Sequence, residues 1–421
     1  MLAVCCIACM PFQFQTAYGF QFAPSDLFVA MGCVVLVAGG ISVRRSSGNS
    51  ALLGLWAVLT ISLWTTLSRT GSLSRYVLLN KYCGLLELFA LYWFFANAVR
   101  HEEDARWLMR VFVIVVSVQN CVFLPAYIGA HWFGFTIPVL NPGLRLAGFL
   151  LDPNAYGGLL ACALALQLLT CRSGAHLVQG KAGVLVLATL AAGLLFTFSR
   201  SAALACLAVV STGILLRARV VIPAVVFLAA IGAAYWAYGA GAEDRSFIAR
   251  MAARPEQIDQ RKEGASRALE EFTNSPVFGA GIGANESHII HNTSLWFLGE
   301  MGLVGFAALC WFLGSTASKA VFCARSAGTQ MRTIATALLC AHAGMFGLSM
   351  GIEAFYQRHW WFVMSMISAL ATILRTRLSV RSVRPHRALA VAPFRRGTPY
   401  VSGGAASTSA RTQGFPYGAI P

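Results

Sequence analysis

Residues 266–305 read SRALEEFTNSPVFGAGIGANESHIIHNTSLWFLGEMGLVG, a polar stretch that passes directly into the start of a long apolar run. The two halves make opposite physical demands. Ser266 to His291 carries charges, hydroxyls and a Pro-Gly loop (Pro276, Gly279, Gly281, Gly283), groups that belong in water. From Asn292 apolar residues dominate as far as Gly314, enough for a helix to cross a hydrocarbon core of about 30 Å. Chemistry-bearing residues are therefore delivered to the mouth of a membrane span. The rest of the chain supplies the body that holds them.

That body is an integral membrane protein. Of 421 residues, 57% are hydrophobic and 11% charged, too few polar side chains to coat a soluble globule of this size. Apolar runs of about 17–25 residues recur from end to end, and no alternating strand pattern points to a barrel. About twelve runs emerge: an imperfect one over 1–22 broken by Pro11, then 23–42, 51–68, 76–99, 107–128, 155–171, 182–198, 201–216, 220–238, 292–314, 333–352 and 359–374. The expected fold is all-α and polytopic. Most of the twelve cysteines, Cys33, Cys121, Cys206 and Cys340 among them, fall inside these runs and read as small core residues. The Cys6-x-x-Cys9 pair has no second ligand pair, which argues against redox or metal work.

The net charge of +16 would suggest nucleic acid in a soluble protein, but the cations sit in short loops and in the tail. Arg44 and Arg45 assign the end of the second run to the cytoplasm. Arg100 with Arg106, Arg172 with Lys181, Arg217 with Arg219, and Lys319 with Arg325 and Arg332 then all count as inside. The same count places 129–154, the Ser199–Arg200 turn and the large loop 239–291 outside. Residues 1–377 form the transmembrane domain, and 378–421 read as a disordered basic cytoplasmic tail lying near anionic headgroups.

Each candidate residue has a local reading as well as a chemical one. Arg200, in FTFSRSAAL, can snorkel to the interface from a helix end. Arg267 can pair with Glu270 or Glu271 three and four residues on. His291 can be a polar helix-start residue, while its neutral imidazole can also take a proton near pH 7, which a permanently charged arginine cannot. Glu300, nine residues on, lies about 13 Å deeper and half a turn round, so it is not the histidine's partner; it reads as helix glue, as do Glu87 and His342. Asp152, Glu286, Glu300 and Glu353 are scattered, with no paired-carboxylate motif for magnesium. No metal and no cofactor are therefore expected.

The chain resembles the O-antigen ligase and polysaccharide polymerase superfamily, whose signature is His followed by Asn, Ser or Gln, nine residues, and Gly-x-x-Gly. Here it is His291, Asn292, Gly302 and Gly305. The Ser199–Arg200 turn, the Arg145 and Pro-Asn segment GLRLAGFLLDPNAYG, and Arg267 before the Pro-x-x-Gly-x-Gly loop add to the likeness. His288, three residues before His291, lacks the motif. The resemblance implies a C-type glycosyltransferase architecture. It also implies a reaction at the outer face of the inner membrane: a glycan passes from undecaprenyl pyrophosphate to a hydroxyl of lipid A–core or of another glycan. Arg200, Arg267 and, third in rank, Arg145 would hold the pyrophosphate and His291 would be the base. Guanidinium groups suit this because they stay ionised and meet phosphate oxygens in bidentate fashion. Ligase, repeat-unit or exopolysaccharide polymerase and protein O-glycosyltransferase remain open, with ligase favoured. A carrier of lipid-linked glycans is the alternative of a different class.

Overall fold

A computed structural model describes residues 1–15, 21–40, 49–134, 137, 140–141, 145–150, 152–171, 175–216, 255–284 and 290–388. Helices dominate, as the apolar runs predict. In chain order they are α1 (Leu2–Cys9), α2 (Pro24–Ala38), α3 (Asn49–Thr70), a π-helical segment Tyr76–Cys83 running into α4 (Gly84–Ala98), α5 (Glu102–Phe133), α6 (Pro153–Thr170), α7 (Gly180–Phe196) and α8 (Arg200–Leu215). After a gap in the description come α9 (Pro255–Asn274), α10 (Thr293–Ser326), α11 (Thr329–Ser349) and α12 (Arg358–Ala388). Two antiparallel pairs of two residues, Phe14–Gln15 with Gln21–Phe22 and Leu140–Asn141 with Arg145–Leu146, are the β structure among the described residues.

Among the described residues six helices are long and apolar enough to span a membrane: 50–70, 76–98, 102–130, 293–326, 329–349 and 358–380. The helices 24–38, 180–196 and 200–215 are apolar but shorter. The run expected over 1–22 is instead α1 and a hairpin. Eight helical residues rise only about 12 Å, well short of a hydrocarbon core. The run 220–238 and the residues Arg44, Arg45, Arg217 and Arg219 lie outside the described residues. The segment taken as tail begins helically, since α12 extends to Ala388.

α6 is buried along almost its whole length, Asn154 and Leu168 excepted, and forms the centre against which α7, α8 and α11 pack. Close approach needs small residues. A Cβ on Gly344 of α11 would meet Val209 of α8 at 2.7 Å, and one on Gly347 would meet the Leu204 carbonyl oxygen at 2.8 Å. Beside this core, Trp361 stacks on Phe312 at 5.3 Å and meets Phe355 edge-on at 4.8 Å. The outward faces carry exposed Leu27, Val34, Trp64, Val122, Val184 and Leu207, the surface expected against lipid. The twelve cysteines are all free, with Cys162, Cys323 and Cys340 buried among apolar neighbours.

Helix ends gather into two sets. At one end Arg377 pairs with Glu102 at 3.0 Å, and Arg110 donates to the Leu177 carbonyl near the start of α7. At the other, Arg358 pairs with Asp26, Lys81 with Glu353, and Asn292 bonds Met350 at the close of α11. Lys319, expected in a loop, is buried. α10 runs twelve residues past Gly314 and carries Lys319 inside, where its ammonium donates to Ser368 Oγ at 3.0 Å.

Candidate active site

The long helix α10 is not continuous. Gly302 has φ 65° and ψ −163°, a conformation essentially confined to glycine, so the helix breaks about two and a half turns after its start. A break leaves backbone groups without helical partners, and the Pro-Gly loop fills them. Leu303 N donates to Pro276 O at 2.8 Å and Val304 N to Val277 O at 3.2 Å. In return Ala280 N donates to Gly299 O at 2.9 Å and Gly281 N to Glu300 O at 2.8 Å. The Glu300 carboxylate accepts from Gly283 N at 2.8 Å. Glu300 thus does act as glue, between loop and helix. Gly302 serves conformation more than close packing, a role its place in an apolar run does not reveal.

The loop's anchoring sets the start of α10. Asn292 is the N-cap: Oδ1 accepts from Leu295 N at 3.0 Å and Nδ2 donates to Met350 O at 3.3 Å. His291 stands just before this cap, half-buried. His288 lies outside the described residues.

The Ser-Arg turn is built as tightly as its sequence suggests. Phe198 holds φ +46°, a left-handed value costly for a bulky residue, and so reverses the chain between α7 and α8. Ser199 caps α8, with Oγ accepting from Ala202 N at 3.1 Å while donating to Asn154 Oδ1 at 2.8 Å. Arg145 is buried and braces the same turn: Nε donates to Thr197 O at 2.8 Å and Nη2 to Asn154 Oδ1 at 3.1 Å. Asp152 caps α6 through Asn154 N at 2.9 Å. Arg145 is thereby committed to positioning the turn that carries Arg200.

α9 turns the loop's arginines in different directions. Its inward stripe is Gly264, Ala268 and Phe272, with Ala268 fully buried against Gly299 of α10. Arg261 continues this stripe at i−3 and i−7 from Gly264 and Ala268. It is close enough to feel the charges of Arg200, Asp152 and His291. Arg267 sits about 120° further round the helix. There its guanidinium bonds Glu263 at 2.9 Å in a half-exposed i,i+4 pair. The local reading of Arg267 is therefore of the right kind, with Glu263 as a partner within the same helix.

Sequence reasoning missed three residues here. Arg261 was legible in principle, because Arg261, Ala265, Ala268 and Phe272 keep the spacing of one helix face. Lys81 and Glu353 are 272 positions apart and form a buried ion pair of 2.7 Å. The Lys81 ammonium also lies 4.8 Å from the Trp296 ring and 5.3 Å from that of Tyr356. The only sequence signal was a lysine inside an apolar run, a functional flag by default.

Electrostatics favour a neutral imidazole. Burial, reinforced by the Arg261 charge, lowers the His291 pKa from its usual value, while Glu353 and Asp152 oppose the shift. Burial also lowers the Arg261 pKa, helped by Arg200 and opposed by Asp152. Two cations within each other's field suit a polyanion, and His291, which feels the charge of Arg261, is suited to accept a proton beside it.

Residues 185–310 match the model of the family described as O-antigen ligase, which supports the O-antigen ligase and polymerase superfamily as the relationship of this chain. The matched segment contains Arg200, Arg261, Arg267, His291, Gly302 and Gly305. Arg145, Asp152, Lys81 and Glu353 fall outside it. No curated protein matches the chain. The long apolar helices together with this match describe a multi-pass helical membrane protein with a segment similar to the O-antigen ligase family.

Proposed function

We propose that this protein is a membrane glycosyltransferase that moves a glycan from undecaprenyl pyrophosphate to an acceptor hydroxyl, as an O-antigen ligase does. What supports this reading is that Arg261 lies within the field of both Arg200 and His291, and that burial favours the neutral form of the imidazole. Arg200 and Arg261 bind the pyrophosphate and spread the charge that builds as it leaves. His291 takes the acceptor's proton, the acceptor oxygen bonds to the anomeric carbon, and the bond from that carbon to the phosphate oxygen breaks with its electron pair leaving on pyrophosphate. Guanidinium charge takes the place that a divalent cation holds in other sugar transfers, and the reaction faces the periplasm, opposite the arginine-bearing loops.

The pair Arg200–Arg261 replaces the sequence-derived pair Arg200–Arg267 in this proposal, because Arg267 is engaged by Glu263. Purified protein tests it with separate assays of donor binding and transfer. Each charge-assisted contact contributes about 1.5–3 kcal/mol, so Arg261→Ala and Arg200→Ala should weaken donor binding about 10–150-fold. Arg267→Ala should stay within about threefold, the scale of an exposed pair. His291→Ala should bind donor normally and lose about 10²–10⁴ in transfer rate. A His291→Ala protein that transfers at the wild-type rate, or an Arg261→Ala protein that binds donor normally, overturns the assignment. Polymerase activity uses the same residues with a growing glycan as acceptor. A gene deletion that leaves full-length polymer on undecaprenyl pyrophosphate marks a ligase, and one that leaves single repeats marks a polymerase.

A further inference from the structure

A cavity of about 490 Å³ lies to one side of this centre, between α2, the π-helical segment and the start of α12. Its size is within the roughly 300–1,000 Å³ of small-molecule sites. Leu27, Ala30, Leu79 and Leu88 give it an apolar wall, and Leu27, Ala30 and Leu79 are exposed on the face that meets lipid. The polar part is concentrated at one place. Arg358 holds Asp26 in bidentate fashion at 2.7 and 2.8 Å and stands 3.8 Å from Glu87.

Three ionisable groups meet there. Two carboxylates face one guanidinium, and both Asp26 oxygens are taken by Arg358. Glu87 Oε1 is buried with no hydrogen-bond partner among the described residues, although its carboxylate adjoins Asp26. An uncompensated acceptor beside an apolar wall selects a ligand with a cationic hydrogen-bond donor and a hydrocarbon part. The wall itself is widened by a π-helical turn, a feature that recurs at functional sites: Leu79, Asn80 and Cys83 of that turn line the cavity.

We propose that this cavity binds a phospholipid bearing a primary ammonium, with the ammonium on Glu87 and acyl carbons along Leu27, Leu79 and Leu88. The site is separate from the glycan-transfer centre and does not depend on that reading. It is nevertheless adjacent: Tyr356 lines the cavity and donates to Lys81 O at 3.2 Å, beside the Lys81–Glu353 pair.

The test is lipid retention. Protein purified from nanodiscs of equal phosphatidylethanolamine and phosphatidylglycerol is released into detergent and read by native mass spectrometry. The wild type should keep phosphatidylethanolamine at least fivefold over phosphatidylglycerol, and Glu87→Gln should erase the preference. Ala30→Trp, at an exposed position on the cavity wall, should lower retention of both lipids without touching the carboxylates. Equal retention of the two lipids by the wild type overturns the proposal, because the cavity then reads no ammonium. A preference that survives both substitutions also overturns it, because the bound lipid then sits elsewhere.

Discussion

Replacing Gly302 by alanine attacks the break on which the candidate site depends. At φ 65° and ψ −163° a non-glycine residue costs about 1–3 kcal/mol in backbone strain alone. The added methyl would also meet the Val277 carbonyl carbon at 2.5 Å and Gly279 N at 2.6 Å. Both are backbone atoms that cannot swing aside, so the loop must move. Its movement stretches the bonds from Leu303 N to Pro276 O and from Val304 N to Val277 O, worth about 0.5–1.5 kcal/mol each. The total is about 2–6 kcal/mol. Gly314→Ala is the control, since no atom lies within 4 Å of its Cβ and helix propensity alone should stabilise it by up to about 1 kcal/mol. Thermal unfolding in detergent should show Gly302→Ala melting clearly below the wild type and Gly314→Ala at or above it. Limited proteolysis should nick the Gly302→Ala protein within 276–283 first. Coincident melting curves for the wild type and Gly302→Ala would refute the claim that glycine sets the break.

Two more outcomes follow from the electrostatics. If neutral His291 is the base, kcat/KM falls with acid through a pKa below the usual 6.5; Arg261→Gln removes a lowering charge and should move that limb to higher pH, while Glu353→Gln removes a raising one and should move it lower. Breaking the buried Lys81–Glu353 pair from one side, by Lys81→Met or Glu353→Gln, should destabilise by about 3–5 kcal/mol, whereas the double replacement should recover much of the loss; additive losses in the melting temperatures would refute the coupling.

Much of this protein follows from contiguous residues. Hydropathy over 76–99, 107–128 and 333–352 locates spans now seen as helices, because a helix buried in lipid satisfies its own backbone and leaves only side-chain polarity to choose its place. The Ser199 cap, the Asn292 cap and the pairing of Arg267 within its own helix are equally local. Tertiary structure decided what local patterns leave degenerate. α9 has charge on several faces, and the packing of Ala268 against Gly299 selects the face that carries Arg261 inward and leaves Arg267 at the side. Lys81 and Glu353 meet only because the π-helical segment and the end of α11 are neighbours in the bundle. Gly302 looks like any small residue of an apolar helix until the loop 276–283 arrives to satisfy the backbone groups its break sets free. Hydrogen bonding within a helix is complete over a few residues and so is written in short windows of sequence. A break needs partners from elsewhere, and which partners come is settled by packing.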